Sequence, residues 1–404
     1  MRKISDIIKY DLCLGCGLCE TIDKSCQMQL ASNGFYYPYP IPSDQDKVKK
    51  ILSLCPGIYV RQEKNNNTKV WGNVQSVSNA WAADKNIRHY SSSGGVTSAL
   101  ALFLLESGKV NAVLHVGCNE GSYLYNSLQV SRTREEVLSR NASRYAPALV
   151  FDHIFDILEN NPDEKYCFIG KPCDIAAMRN IVREYPQYKE RIPYFLAIFC
   201  AGMPCYNATD KVIETFGANK QPASLRYRGN GWPGYFTVTY TDGSKDRMTY
   251  NNSWGKILGR HLGFRCKVCP DGIGLLADIS SGDSWNTKDG YPDFTESEGK
   301  NFCFIRTATG KNLFDEAVKS GYIISEPIDV ENVKNIQRYQ YSRRHIVGWR
   351  IAVVQLVSGG IFKFKNLGYN KMALKANYLH AIKDAFGTLK RLQKLKKIDR
   401  TQLS

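Results

Sequence analysis

Thirteen cysteines in 404 residues fall largely into short patterns, and those patterns restrict the chain more than its length does. Cys13-Leu-Gly-Cys16-Gly-Leu-Cys19 sets three thiols at successive intervals of three, and Cys55 is followed at once by Pro56. In cubane ferredoxin sites three thiolates come from one loop wrapped around the cluster, and a distant Cys-Pro supplies the fourth. Gly15 and Gly17 free the backbone to turn and to aim N–H groups at the sulfides. A zinc knuckle is the competing reading, but zinc sites pair two C-x2-C units, and an unbroken triplet suits a cubane face better. Cys26 competes with Cys55 for the fourth place; the following proline favours Cys55.

A second set is gathered from three segments. Cys173 follows Gly170-Lys171-Pro172 at the end of one predicted strand, and Cys200 closes the next. In a parallel sheet the carboxyl ends of adjacent strands share one edge, so these thiols should be neighbours in space. Cys266-Lys-Val-Cys269-Pro270 adds two more, giving a four-thiolate group. Buried core thiols are the alternative for Cys173 and Cys200. Cys118, Cys167 and Cys303 lie in apolar strand patterns and read as core, while Cys205 is left without an assignment.

The rest of the chain supplies the frame. Its length calls for two or three structural units. The expected organisation is a ferredoxin-like iron–sulfur unit over residues 1–62, a larger unit carrying the second thiol set over 70–345, and a basic amphipathic helical tail over 346–404. Short apolar runs alternating with amphipathic stretches predict strands at 77–82, 110–117, 166–170 and 194–200, and helices at 96–106 and near 174–185. That βαβ spacing predicts an α/β fold, α+β overall, with a mostly parallel sheet. Period-two segments around Thr241-Asp242-Gly243-Ser244 predict an antiparallel insertion. The N-terminus lacks the apolar core of a secretory signal, and apolar stretches fall short of the ~20 residues that cross a bilayer. A cytoplasmic protein is therefore expected, and in a reducing compartment so many thiols read as metal ligands rather than disulfide partners.

Ser91-Ser92-Ser93-Gly94-Gly95 leads into the apolar segment that begins at Val96. Free N–H groups at a helix start beside glycine make a phosphate-binding nest, although a capped buried helix explains the same residues. Clusters pass single electrons whereas organic substrates exchange hydride, so a flavin is the expected converter.

These residues together resemble the beta subunits of deazaflavin-coenzyme-reducing hydrogenases and dehydrogenases. That family includes plant hydroxymethyl-chlorophyll reductase and bacterial proteins encoded among polysaccharide-biosynthesis genes. The matching segments are Cys13 to Cys19, Asn33 to Pro38, Cys55-Pro56-Gly57, Ser91 to Val96, Gly170 to Cys173, Phe199-Cys200, Arg228 to Gly234, and Cys266 through Asp283. The resemblance implies FAD, a core 4Fe-4S cluster on Cys173, Cys200, Cys266 and Cys269, and an added N-terminal 4Fe-4S cluster on Cys13, Cys16, Cys19 and Cys55. It implies that Ser91, Ser92, Ser93, Gly94, Gly95 and Val96 meet the flavin phosphates. Lys171, Arg228, Asn230 and Trp232 are then candidate flavin neighbours, with Lys171 and Asp283 as candidate catalytic groups; Trp232 reads equally as core and Asp283 as a turn residue.

The expected function is an oxidoreductase carrying electrons from a ferredoxin-like or reduced deazaflavin donor to an oxidised small molecule, in surface polysaccharide biosynthesis if the bacterial members are nearest. The alternative is a non-catalytic electron-transfer subunit. Nucleic-acid binding is not expected, because the net charge of +16 is concentrated away from the cysteines. Residues 361–404 hold eleven Lys/Arg and two Asp, so 11 − 2 = +9 of that charge lies in the last 44 positions. There Leu374, Tyr378, Ile382, Ala385, Phe386, Leu389 and Leu392 share one helix face, with Lys375, Lys383, Lys390, Arg391, Lys394, Lys396 and Lys397 around it. The stripe packs on the protein's own body, or serves peripheral attachment to an anionic membrane or an acidic donor. Oligomerisation is left open.

Overall fold

In the computed structural model, residues 2–63, 69–217, 219–288 and 291–395 are described. The polar run from Gln62 to Lys69, whose three successive asparagines read as a linker between the first two expected units, falls mainly on 64–68, and Lys396 and Lys397 lie beyond 395, so these positions are outside the described residues.

Strands whose side chains alternate between two apolar layers form the centre. Ala112 and Leu114 face one cluster and Val113 the other; Phe168 opposes Cys167, Phe195 opposes Leu196, and Phe302 and Phe304 oppose Cys303 and Ile305. Burial on both faces is what a helix-covered sheet requires. Helix Pro172–Glu184 covers one face through Ile175, Met178 and Ile181, while helices Val96–Glu106 and Ala308–Lys319 cover the other. Cys167 and Cys303 are core thiols as expected.

The sheet has eight strands. In spatial order they are Ile323–Pro327, Ser76–Ala82, Asn301–Ile305, Ile279–Asp283, Tyr194–Ile198, Tyr166–Gly170, Ala112–Cys118 and Asn126–Ser131. The pairs 279–283/194–198, 194–198/166–170 and 166–170/112–118 are parallel, and the remaining pairs are antiparallel. Five of the eight strands thus share one direction. Their carboxyl ends lie along one edge, which is where an open α/β sheet offers a binding crevice. Pro172 at the first turn of its helix ends one of these strands sharply and turns Cys173 onto that edge.

The antiparallel insertion forms a separate three-stranded sheet, Pro222–Arg226, Tyr235–Tyr240 and Lys245–Thr249. Gly243, at φ +80°, sits in the turn expected between its last two strands.

The N-terminal segment and the C-terminal helices share a core. Ile7, Leu12 and Ile58 cluster with Phe264, Val268, Val347, Ile351 and Val354. Strand Lys363–Lys365 pairs in parallel with Tyr59–Arg61, and helix Arg338–Ser358 runs through position 346. Helix Tyr378–Leu395 buries Ala381, Thr388 and Leu392 and is tied down by an Arg350–Asp384 ion pair. Tyr378, Leu379, Ile382 and Phe386 stay exposed, so the expected apolar stripe divides: Leu392 turns inward and its middle faces solvent. Among the described residues no helix is long and apolar enough to cross a membrane.

Arg306 shows how the loops are fixed. Its buried guanidinium donates to the carbonyls of Trp71, Asn73 and Ile273 and to Ser280 Oγ. Arg306→Met should leave these acceptors unpaired and lower stability by about 3 kcal/mol. Denaturant unfolding checks this; a change within experimental error would show that solvent replaces the guanidinium.

Candidate functional site

Three groups converge along the sheet edge. The first holds the N-terminal thiols. Gly15 N donates to Cys13 Sγ at 3.4 Å, and the left-handed Gly17 (φ +86°) starts the helix Leu18–Ile22 that carries Cys19. A Cβ at Gly17 would stand 2.6 Å from Asp152 N, so only glycine lets this loop lie against the main body. Burial raises the Cys13 thiol to about 12 and pushes those of Cys16, Cys19 and Cys55 upward as well. Cys55 adds repulsion at each of Cys13, Cys16 and Cys19, which makes all four electrostatic neighbours. Cys26, fully buried, is felt at Cys13 and Cys19 behind Cys55.

The second group is Cys173, Cys200, Cys266 and Cys269, which line one small cavity together with Cys16 of the first. Met203 N donates to Cys266 Sγ at 3.3 Å. Burial raises the thiols of Cys173, Cys200 and Cys266, that of Cys200 to about 12, with repulsion from neighbouring thiols adding to it. Arg343 fixes the loops by donating to the carbonyls of Cys200 and Cys266. Among the described residues no three Cys, His, Asp or Glu side chains converge to hold a single ion. The donor chemistry of both sets, four neighbouring thiols with amide donors, is nevertheless what a cubane cluster takes. Cys205 packs instead in the apolar cluster of the three-stranded sheet.

The third feature is a cavity of about 550 Å³. Ser91, Ser92, Ser93, Gly95, Val96 and Thr97 form one wall, and Lys171, Phe199, Cys200, Arg228 and Asp283 line its floor and sides. Gly95, in the left-handed region, is the N-cap of helix Val96–Glu106 and contributes no side-chain cap; Asn301 Oδ1 accepts from Val96 N. Ser91 Oγ is buried on this wall with no partner, an orphaned donor of the kind a flavin or phosphate oxygen would satisfy. Gly94 is absent from the cavity wall: a Cβ there would lie 2.8 Å from Asn301 N, so close packing against the sheet requires glycine.

Lys171 lines both cavities and pairs with Asp174 at 2.7 Å. Burial opposes its charge, but Asp174 and the neighbouring thiols outweigh burial and hold it above the ordinary lysine range. It is therefore a fixed cation rather than a proton carrier near neutral pH. Asp283 accepts from both Arg228 terminal nitrogens at 2.8 and 2.9 Å and from Trp232 Nε1 at 2.9 Å. With its oxygens so engaged, Asp283 orients Arg228, which lies over the Tyr250 and Trp285 rings. Trp232, 2% exposed, stacks on Trp285 behind the wall. Asn230 lines a different cavity. Tyr145, Tyr250, Trp254, Trp285 and Phe294 complete the aromatic side of the large cavity, and sequence reasoning missed them. Only Trp285, two positions after Asp283, lay close enough to a motif to be found.

Residues 77–154 match the model of the N-terminal part, and residues 163–331 that of the C-terminal part, of the coenzyme F420 hydrogenase/dehydrogenase beta subunit. The beta subunit of the coenzyme F420 hydrogenase of Methanococcus voltae is 26% identical, over 64% of this chain and 86% of its own length. That of the F420-dependent formate dehydrogenase 1 of Methanococcus maripaludis is 25% identical, over 60% of this chain and 59% of its own. Among solved structures, a chain of the F420-reducing [NiFe] hydrogenase complex from Methanosarcina barkeri superposes with a TM-score of 0.54 at 20% identity, covering 76% of this chain and 99% of that one. It shares the fold.

Removing the carboxylate of Asp283 should strand a buried guanidinium. Asp283→Ala is expected to destabilise the protein by about 3 kcal/mol, and Asp283→Asn by less, because Asn keeps an acceptor. Thermal unfolding followed by the stacked tryptophans tests this, and unchanged stability in both variants would mean that Arg228 is neutralised elsewhere.

Proposed function

The chain belongs to the family of coenzyme F420 hydrogenase/dehydrogenase beta subunits, and on that premise we propose that it is an iron–sulfur flavoprotein oxidoreductase passing electrons between a redox partner and a small molecule. One observation carries this reading. Cys16 of the N-terminal set lines the cavity of the second set, and Lys171, Cys200, Gly202 and Met203 wall both that cavity and the large one. The three compartments follow one another in the order an electron path needs.

Cys13, Cys16, Cys19 and Cys55 would hold an outer 4Fe-4S cluster, and Cys173, Cys200, Cys266 and Cys269 an inner one. The large cavity would hold FAD against Ser91–Val96. Single-electron carriage and hydride exchange are the chemistry these groups supply when bound. The chain's own residues do the rest. Lys171 places a fixed positive charge between the inner thiols and the large cavity, where it offsets negative charge on either side. Arg228, held by Asp283, presents a second cation to the cavity, and the aromatic wall keeps water from its depth. The relatives' dependence on coenzyme F420 supports a reduced deazaflavin as electron donor, with a ferredoxin-like protein as the alternative.

A second reading, an electron-transfer subunit whose catalytic partner is another chain, is favoured by the relatives' names, which are those of subunits of a hydrogenase and a dehydrogenase.

Anaerobic purification with iron, sulfide and flavin counts tests the proposal. About eight irons and one FAD per chain are expected, as two four-iron clusters and one flavin require. Cys173→Ser or Cys266→Ser should remove about half the iron, and Cys55→Ser the other half, with Cys26→Ser leaving it intact. A colourless zinc protein would overturn the reading. Dye reduction by the isolated chain without turnover of any small molecule would select the version with a separate catalytic partner.

A further inference from the structure

The outer face of the three-stranded sheet closes a second cavity, of about 310 Å³, against residues 116–118 and 139–144. Cross-strand register sets its chemistry. Thr237 pairs with both Arg226 and Arg247, and Thr239 with Ser224 and Lys245. Period-two alternation sends these residues to one face and Leu225, Phe236, Val238 and Tyr240 to the apolar cluster on the other. Two rows result, Thr237 between two arginines and Thr239 between a serine and a lysine.

Arg140 and Arg144 close the cavity from the opposite side. Arg144 is spent on structure, donating to the carbonyls of Tyr123, Leu124 and Leu225. Arg140 also donates to Val130 O and Ser131 Oγ, and Arg226 to Tyr90 O and Asn141 Oδ1, but among the described residues no carboxylate forms an ion pair with Arg140, Arg226, Lys245 or Arg247, and no acidic residue lines the cavity. The hairpin's own acids are engaged away from it, Asp246 with Tyr240 and Asp242 with Lys220. Two glycines bed the arginines. A Cβ at Gly117 would lie 3.2 Å from Arg140 Cδ, and one at Gly229 would lie 2.7 Å from Arg226 Nε.

A cavity ringed by cations with free hydroxyls repels itself, and a multivalent anion relieves that repulsion. Guanidinium groups suit phosphate oxygens because they donate in pairs. We propose that this cavity is a binding site for the phosphate or pyrophosphate group of a phosphorylated small molecule distinct from the flavin. Segment 140–145 is its shared wall with the large cavity: Arg140 and Ala142 line this one, Ser143 and Tyr145 the other, and Arg144 both. Arg226 and Asn230 likewise line this cavity while Arg228, between them, lines the large one. A ligand anchored here by its phosphates lies beside the proposed redox compartment.

Calorimetry of inorganic pyrophosphate with the anaerobically purified holoprotein tests the site. Saturable binding is expected, weakened about tenfold or more in the Lys245→Gln, Arg247→Gln double variant, as loss of charge-assisted hydrogen bonds predicts. Both side chains are exposed, so folding, iron and FAD content should not change. Equal affinity in the two proteins, or no saturable binding to either, overturns the proposal. Loss of FAD from the double variant also overturns it, since the cavity would then serve the dinucleotide itself.

Discussion

Buried guanidinium groups that bind backbone carbonyls hold the cysteine-bearing loops of this protein in place. Arg265, beside Cys266, donates to the carbonyls of Pro56 and Gly57, directly after Cys55. Arg343 binds the carbonyls of Cys200 and Cys266, and Arg344 those of Val70, Pro270 and Leu367. Loops carrying ligands have little secondary structure to satisfy their carbonyls, and one rigid five-donor group satisfies several at once. Arg265 thereby joins the N-terminal thiol set to the second set through a single side chain.

Charge explains why such cations are tolerated. A buried guanidinium without a carboxylate is costly; Arg344 has Asp271 as its acidic neighbour, whereas Arg343 faces the thiols of Cys200 and Cys266. Burial holds such thiols protonated, Cys13 and Cys200 up to about 12. Deprotonation on metal loading would supply the negative charge that Arg265, Arg343 and Lys171 face, so metal uptake, proton release and loop fixation are coupled in the proposed holoprotein.

The three-stranded sheet belongs to the same scheme. Its apolar face packs under the loops, its polar face carries the cationic cavity, and the segment leaving its first strand delivers Arg228 to Asp283 at the sheet edge. One insertion thus shapes both the large cavity and its neighbour.

The family and the parallel centre of the sheet were legible in the sequence, because thiol spacing and short apolar runs are local properties: strand Tyr166–Gly170 and helix Val96–Glu106 fall where their patterns put them. The convergence of Cys173 with Cys200 followed from one topological rule, that parallel strands end on one edge. Strands Asn126–Ser131, Ile279–Asp283 and Ile323–Pro327 were not foreseen, since half-buried or glycine-bearing runs lack a clear period. Residue type alone left Asp283 open between catalyst and turn; contact with Arg228 and Trp232 decided its engagement. Gly94 looked like part of a phosphate nest, and its fit against Asn301 is a distance no sequence spacing encodes. The sequence by itself determined which atoms are available as ligands and which strongly patterned segments build the parallel centre of the sheet, because those depend on side-chain chemistry and short-range periodicity. Only the tertiary structure decided which cations meet which acceptors and which cavities share a wall, because those depend on how segments hundreds of positions apart are packed together.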